Sequence, residues 1–241
     1  MIYNQTQIRL FSFNIRNSFL ARKPADQSVN REDIIVAAAD VLYRNGYEAT
    51  TMKDIAAEVN LTAASLYHHF RNKDTLLLAV LEGGLEVVIE QIEPVANSNK
   101  TNVEKLTEMI RLHIYYVTQN TAVGAAMVFE IRPLLNFRVP PRNGNQFGGS
   151  DYDEFLDRRD RFFKRRAYFE ELFVRVIEDG VKKGEFRQVD PKIFTKTMVG
   201  ANNWVAVWYK EGGRLSGDQV ARMIAENFVW SLQPYRSASL P

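Results

Sequence analysis

The sequence has no cysteine, only three histidines (His68, His69 and His113), and no apolar run approaching the roughly 20 residues that a membrane span needs. Without cysteine there is no disulfide framework, no thiolate metal site and no cysteine nucleophile, and a reducing cytoplasm suits the chain. His68 and His69 are neighbours, and neighbouring side chains on a helix point about 100° apart, so they make a poor metal pair. His113 has no partner evident in the sequence. No phosphate-binding loop and no metal-ligand spacing occurs either, so an enzyme built on this chain lacks its parts, and neither cofactor nor metal is expected. Charge of one sign is missing as well. The 31 Lys and Arg against 29 Asp and Glu leave a formal net charge of +2, too small to mark a nucleic-acid binder by bulk electrostatics. The placement of charge must carry any such argument.

What is present is globular composition, with 46% hydrophobic and 25% charged residues in 241 positions, enough for one compact domain or a small module joined to a larger one. Residues 1–28 stand apart: Arg9, Arg16, Arg22 and Lys23 face only Asp26, and Ile8, Leu10, Phe11, Phe13 and Ile15 keep no helical period. The segment reads as a disordered extension, with Val29 a possible alternative start. A second reading is a basic arm for a minor groove. The apolar stretch Leu10 to Phe13, broken by Ser12, is too short for a secretory signal.

From Asn30 onward the signals are helical, about nine helices in all, with no convincing strand and no internal repeat. Asn30 caps a first helix with Ile34, Ile35, Ala38, Val41 and Leu42 in one stripe, and Gly46 closes it in a left-handed conformation. Thr51 with Asp54 opens a short second helix, Asn60 and Leu61 break it, and Thr62 caps a third from Ala63 to Phe70. Asn72 caps a fourth, running from Lys73 to Glu93, where Pro94 is expected to end it. Gly83 and Gly84 inside it cost roughly 1 kcal/mol each against alanine, so tight packing or a bend is served. A fifth helix starts at Thr101, a sixth spans about Ala122 to Leu135, and Val139 to Ser150 reads as a mobile loop. A long helix follows from about Asp151 to Lys183, stopped by Gly184. Asp190 with Pro191 opens the next, and Ser216 with Gln219 opens the last.

The run Gly46 to Phe70, GYEATTMKDIAAEVNLTAASLYHHF, with the following RNKDTLLLAVL, resembles the DNA-binding domain of the TetR family of bacterial regulators over its whole length. Asn60 departs from the usual glycine of the turn, but asparagine tolerates a left-handed backbone. Ala64 stands where glycine or proline is frequent. Independently of the resemblance, the small side chains of Ala63, Ala64 and Ser65 let a short helix approach base edges in a major groove about 12 Å wide. The readers would be Ser65 and the methyl groups of Thr62, Ala63 and Ala64. With no Arg or Asn there, specificity leans on thymine methyls and DNA shape. The resemblance places phosphate contacts at Thr51, Tyr67, His69 and Lys73, and Thr51 and Lys73 lie at helix N-termini that favour anions. Lys53 and His68 complete the expected DNA-facing set. Tyr67 and His69 as packing residues is the alternative, whereas Leu66 and Phe70 read as core.

The resemblance implies an all-α protein with a three-helix DNA-binding domain at 29–75 and a helical ligand-binding and dimerisation domain at 76–235. The later segments, including Gly200-Ala201-Asn202-Asn203-Trp204 and Trp208-Tyr209, look like members that answer acyl-CoA thioesters or fatty acids. Arg159, Phe162, Arg166, Phe169, Asn203, Trp204 and Trp208 are the expected ligand contacts, with plain core packing of the tryptophans and an interface for the asparagines as the competing reading. The basic run Arg158, Arg159, Arg161, Lys164, Arg165 and Arg166 is either a solvated face or a grip on CoA phosphates. Phe194, Met198, Val205, Met223, Phe228 and Trp230 are expected at a homodimer interface. Such a dimer sets its readers roughly 34 Å apart on a palindromic operator.

The function expected is a cytoplasmic, ligand-responsive regulator, repressing until a small hydrophobic effector releases it from double-stranded DNA, with no membrane partner. Gly83 and Gly84 are expected to accommodate the shift of the fourth helix. The rival is a small-molecule-binding protein that keeps the fold without specific operator binding.

Overall fold

Seven of the helices among the described residues start where a side chain takes up a free amide, and those caps set the architecture. The computed structural model describes residues 29–135 and 149–234, which hold ten helices and no strand. The leader 1–28 and most of the expected loop before Ser150 lie outside the described residues. The described residues fall into two compact units dividing between Val80 and Leu81.

In the first unit, α1 (Arg31–Ala49), α2 (Met52–Glu58), α3 (Ala63–His69) and the start of α4 (Lys73–Ala96) surround one apolar centre. Asn30 accepts from the Asp33 amide at 2.8 Å and opens α1. Gly46 does not end α1: its φ of 74° and ψ of 162° put a kink there, and one more turn reaches Ala49. Thr50 holds that kink, since both its amide and its hydroxyl bond to the Gly46 carbonyl, at 3.2 and 2.7 Å. Ile34, Leu42, Ile55, Leu66, Leu76 and Leu77 are each essentially inaccessible to water. At roughly 1.5–3 kcal/mol per fully buried side chain, such a set supplies the driving force for this small unit.

The second unit holds the rest of α4, then α5 (Asn102–Gln119), α6 (Thr121–Phe129), α7 (Arg132–Leu135), α8 (Gly149–Lys182), α9 (Pro191–Trp208) and α10 (Gly217–Ser231). α5 lies at its centre, packed on α8, α9 and α10. The apolar stripe of α8, Phe155, Phe162, Phe169, Phe173, Val176 and Ile177, is buried along its whole length. Two boundaries differ from expectation. α4 runs past Pro94 to Ala96, because proline removes one bond while Asn97 N–H to Glu93 O, at 3.1 Å, keeps the last turn closed. The expected sixth helix breaks after Phe129, and α7 accommodates Pro133 in its first turn, where the missing donor costs nothing.

The two glycines of α4 are not equivalent. A Cβ on Gly84 would come within 2.3 Å of Val123 Cγ1 on α6, whereas one on Gly83 meets nothing within 4 Å. Close approach therefore requires Gly84, and nothing in the packing requires Gly83. Gly83→Ala is expected to raise stability by roughly 0.5–1 kcal/mol through helix propensity. Gly84→Ala should cost about 1–3 kcal/mol, because branched Val123 has little freedom to yield. Urea unfolding of both variants checks this; equal shifts would show that packing does not distinguish the positions.

Candidate nucleic-acid interface and receiver core

The turn between α2 and α3 carries the geometry of the first site. Asn60 has a φ of 56°, the left-handed conformation expected of it, and Leu61 N–H bonds back to Ala56 O at 2.8 Å. α3 is fixed from beneath by Leu66, 0% exposed, and by Phe70 at its end, 3% exposed. With those two facing inward, Ala64, Tyr67, His68 and His69 are turned to solvent, and Ala63 and Ser65 are partly covered. Tyr67 is 51% exposed, so about half of it is open to an outside contact. Thr62 caps α3, accepting from the Ser65 amide at 3.1 Å while the Thr62 and Ser65 hydroxyls share a bond of 2.9 Å. Thr51 and Lys53 are exposed on α2.

Two expected phosphate contacts are already engaged. The Thr51 hydroxyl donates to Asp54 Oδ2 at 2.7 Å, and the Thr51 amide donates to the same oxygen at 2.8 Å. These bonds hold the Asp54 carboxyl below its ordinary range and place a negative charge at the start of α2, where a free anion was expected to be favoured. Lys73 Nζ donates to the carbonyls of Tyr47 at 2.5 Å and Glu48 at 3.4 Å and lies 4.2 Å from the centre of the Tyr47 ring. Lys73 thus ties α4 to the end of α1, with one ammonium donor left over. Tyr47 itself bonds through its hydroxyl to Asp74. Its role was not legible in the sequence, where it reads only as the residue after Gly46.

In the second unit the expected ligand residues separate. Phe162 and Phe169 are buried, at 2% and 5% exposure, and Arg166 is partly covered. Arg159 is held by its neighbour Asp160, with Nε 3.0 Å from Oδ1. Trp204 and Trp208 lie half-exposed on the outer side of α9, Trp204 edge-on to Phe129 at 6.0 Å. The basic run is partly committed to α4. Arg158 Nε donates to both Glu82 oxygens at 3.0 and 2.8 Å, Arg165 grips Glu86 at 2.7 and 2.9 Å, and the Tyr168 hydroxyl bonds Glu93. Arg158 and Arg165 are therefore neither a solvated face nor unoccupied phosphate grips.

Sequence reasoning missed His113 as the hub of this half. It is fully buried, and its Nε2 lies 3.0 Å from Asn203 Oδ1 while Asn202 Nδ2 lies 3.3 Å from its Nδ1. Phe169 meets it edge-on at 5.1 Å and Phe173 lies 6.4 Å away. Burial lowers its pKa to about 4, so the imidazole is neutral near pH 7. The signal available was the adjacent pair Asn202-Asn203 within an apolar helix, which demands partners.

The expected interface set needs correcting. Met198 and Val205 are 0% exposed and belong to the chain's own core, because the inner stripe of α9 runs through them. Phe194 and Phe228 pack on each other edge-on at 5.9 Å. The outward apolar groups are Ile193, Trp204 and Trp208 on α9 with Met223 and Trp230 on α10, and Trp230 is 73% exposed. Ile193 was not anticipated.

Comparison with known proteins agrees with both halves. Residues 34–80 match bacterial regulatory proteins of the tetR family, and residues 156–232 match the tetracyclin repressor-like C-terminal domain. The chain is 26% identical to the HTH-type transcriptional repressor KstR2 of Mycolicibacterium smegmatis, over 83% of this chain and 88% of that one. Among solved structures, AibR in complex with isovaleryl coenzyme A and operator DNA is 26% identical, with a TM-score of 0.62 over 85% of this chain and 98% of that one. The TetR-family regulator PfmR of Thermus thermophilus, 23% identical, gives a TM-score of 0.67 over 83% of this chain and 99% of that one. The caps, the left-handed Asn60, the buried Leu66 and Phe70 and these likenesses lead to one conclusion: this chain belongs to the TetR family of transcriptional regulators and is not an enzyme.

Proposed function

We propose that the protein is a cytoplasmic repressor that binds a palindromic operator as a homodimer and leaves it when a small hydrophobic effector, of the acyl-CoA class, enters the receiver half. The observation that carries this reading is α3, whose small outward face at Ala64 and exposed Tyr67 is fixed from below by buried Leu66 and Phe70. Thr62, Ala63, Ala64 and Ser65 would meet base edges, and Thr51, Lys53, Tyr67, His68, His69 and the remaining donor of Lys73 would meet phosphates. Residues 29–75 would form the DNA-binding domain and 76–235 the receiver. That AibR is crystallised with isovaleryl coenzyme A and operator DNA, and that KstR2 is a repressor, supports the effector class and the sign of regulation.

For the dimer, the exposed Ile193, Trp204, Trp208, Met223 and Trp230 supply outward apolar groups on α9 and α10 that a second copy would cover. Trp204→Ser combined with Trp230→Ser should shift sedimentation velocity from dimer to monomer at micromolar concentration; an unchanged dimer would place the interface elsewhere. For the effector, we propose that CoA phosphates compete with Glu82 and Glu86 for Arg158 and Arg165, so that α4, which carries those glutamates, changes its seat. Gly84, packed on Val123, holds that seat rather than bending it.

The test is titration of labelled promoter DNA at several salt concentrations, with and without decanoyl-CoA. Specific binding should weaken linearly in log salt, with a slope near −0.9 per phosphate contact. Decanoyl-CoA should release the DNA. Feeble, salt-insensitive association with every promoter would favour a binding protein that has kept the fold and lost its operator.

A further inference from the structure

Both ring nitrogens of buried His113 are engaged, and one buried atom beside them is not. A neutral imidazole has one donor and one acceptor, and both are used: Nε2–H donates to Asn203 Oδ1, and Nδ1 accepts from Asn202 Nδ2. Asn202 Oδ1 then remains, 0% exposed as a residue and with no hydrogen-bond partner. A buried carbonyl without a donor is costly, and interiors do not ordinarily keep one. Phe169 and Phe173 pack on the imidazole and offer no donor, and Met198, Val205 and Ala206 continue the inner face of α9 with apolar surface.

The cluster is also uncharged. Desolvation keeps His113 neutral, and its neighbours from α8 and α9 are phenylalanines and asparagines, so nothing here attracts an ion. Three of the residues concerned come from different helices, His113 on α5, Phe169 on α8 and Asn202 on α9, so a molecule seated among them would touch three helices of the receiver core.

We propose that Asn202 Oδ1 is the polar reading point of the effector site, and that it takes the neutral, mostly apolar part of the effector, bearing one O–H or N–H donor, with Asn202 positioned by His113 and the phenylalanines Phe169 and Phe173 packed on that imidazole. This rests on the receiver half being an effector-binding domain. It adds what the proposed function leaves open: the effector's apolar part carries a hydrogen-bond donor, and His113 is a positioning residue that acts through Asn202.

The matched probes are 1-octanol and heptyl methyl ether, which have the same number of heavy atoms and differ in the O–H donor. Binding to the full chain, read by calorimetry, should favour octanol by about tenfold, the scale of one hydrogen bond to an otherwise unpaired buried acceptor. Asn202→Leu should bind the two probes equally. Should that variant fail to fold, the wild-type protein suffices: octanol, and not the ether, should move the side-chain carbonyl resonance of Asn202. Equal binding of both probes, no binding of octanol, or an octanol preference that survives in Asn202→Leu overturns the inference. A slowly exchanging buried water that holds Asn202 Oδ1 and is not displaced by octanol overturns it too. Release of promoter DNA by decanoyl-CoA without any donor preference would sink this inference and leave the acyl-CoA repressor standing. A donor preference without any response to decanoyl-CoA would do the reverse.

Discussion

Ala64→Glu should abolish specific operator binding, by about two orders of magnitude, while leaving the protein folded. Ala64 is exposed in the first turn of α3, so the new side chain displaces nothing. A carboxylate there is favoured by the free amides and the positive end of the helix, by roughly 0.3–1 kcal/mol, and the melting temperature should hold or rise slightly. Against DNA the balance reverses. The carboxylate would face base edges and flanking phosphates, and a wrong contact at one base pair costs about 1–3 kcal/mol. A dimer meets the penalty at both half-sites, so the total is about 2–6 kcal/mol, with 100-fold falling near the low end of that range. Fluorescence anisotropy with promoter DNA at one fixed salt concentration reads the loss, and a circular-dichroism melt reads the fold. Full affinity in a folded Ala64→Glu protein would remove α3 from the DNA interface.

The DNA-binding half was largely legible in the sequence because its signals are local. Asn30 with Asp33, Thr51 with Asp54 and Thr62 each cap a helix with an atom no more than three residues from the amide it serves. Asn60 reports its own backbone conformation. The tie that Lys73 makes was not legible because its partners, the carbonyls of Tyr47 and Glu48, lie on another helix, and no local pattern announces them.

The receiver half was legible as helices and far less so as a site. α9 is apolar on both sides: Met198 and Val205 lie on the inner stripe, Ile193, Trp204 and Trp208 on the outer. Periodicity finds a stripe only against a polar background, so it gave no basis for deciding which side faces a partner. The same holds for the basic run of α8. Charge pattern counts Arg158 and Arg165 as available cations, while the fold spends them on Glu82 and Glu86 of α4. His113 shows the limit most sharply, since its meaning comes from two asparagines and two phenylalanines on distant helices.

That burial gives the receiver half a pH dependence of its own. His113 titrates near 6.5 when exposed and at about 4 in the folded chain, lowered by desolvation and only partly restored by its bond to Asn203. Between those values the unfolded chain binds more protons than the folded one, so stability rises with pH across the window. Read downward, stability is lost as pH falls from 6.5 towards 4, and the His113 contribution is constant below that because both states are then protonated. The interval converts to about 3 kcal/mol, a large share of a typical folding free energy. Carboxylates held below their ordinary range, such as Asp179 beside Lys183 and Asp218 beside Arg222, lose their contributions at lower pH, below their unfolded values. The His113 effect is therefore read as a difference between wild type and His113→Gln, which keeps a neutral polar side chain that does not titrate. Urea unfolding at one protein concentration, from pH 7 to pH 4, should give the wild type a steeper loss by about 3 kcal/mol. Parallel curves would mean that the imidazole is charged or hydrated in the folded protein, and the neutral cluster at Asn202 would fall with it.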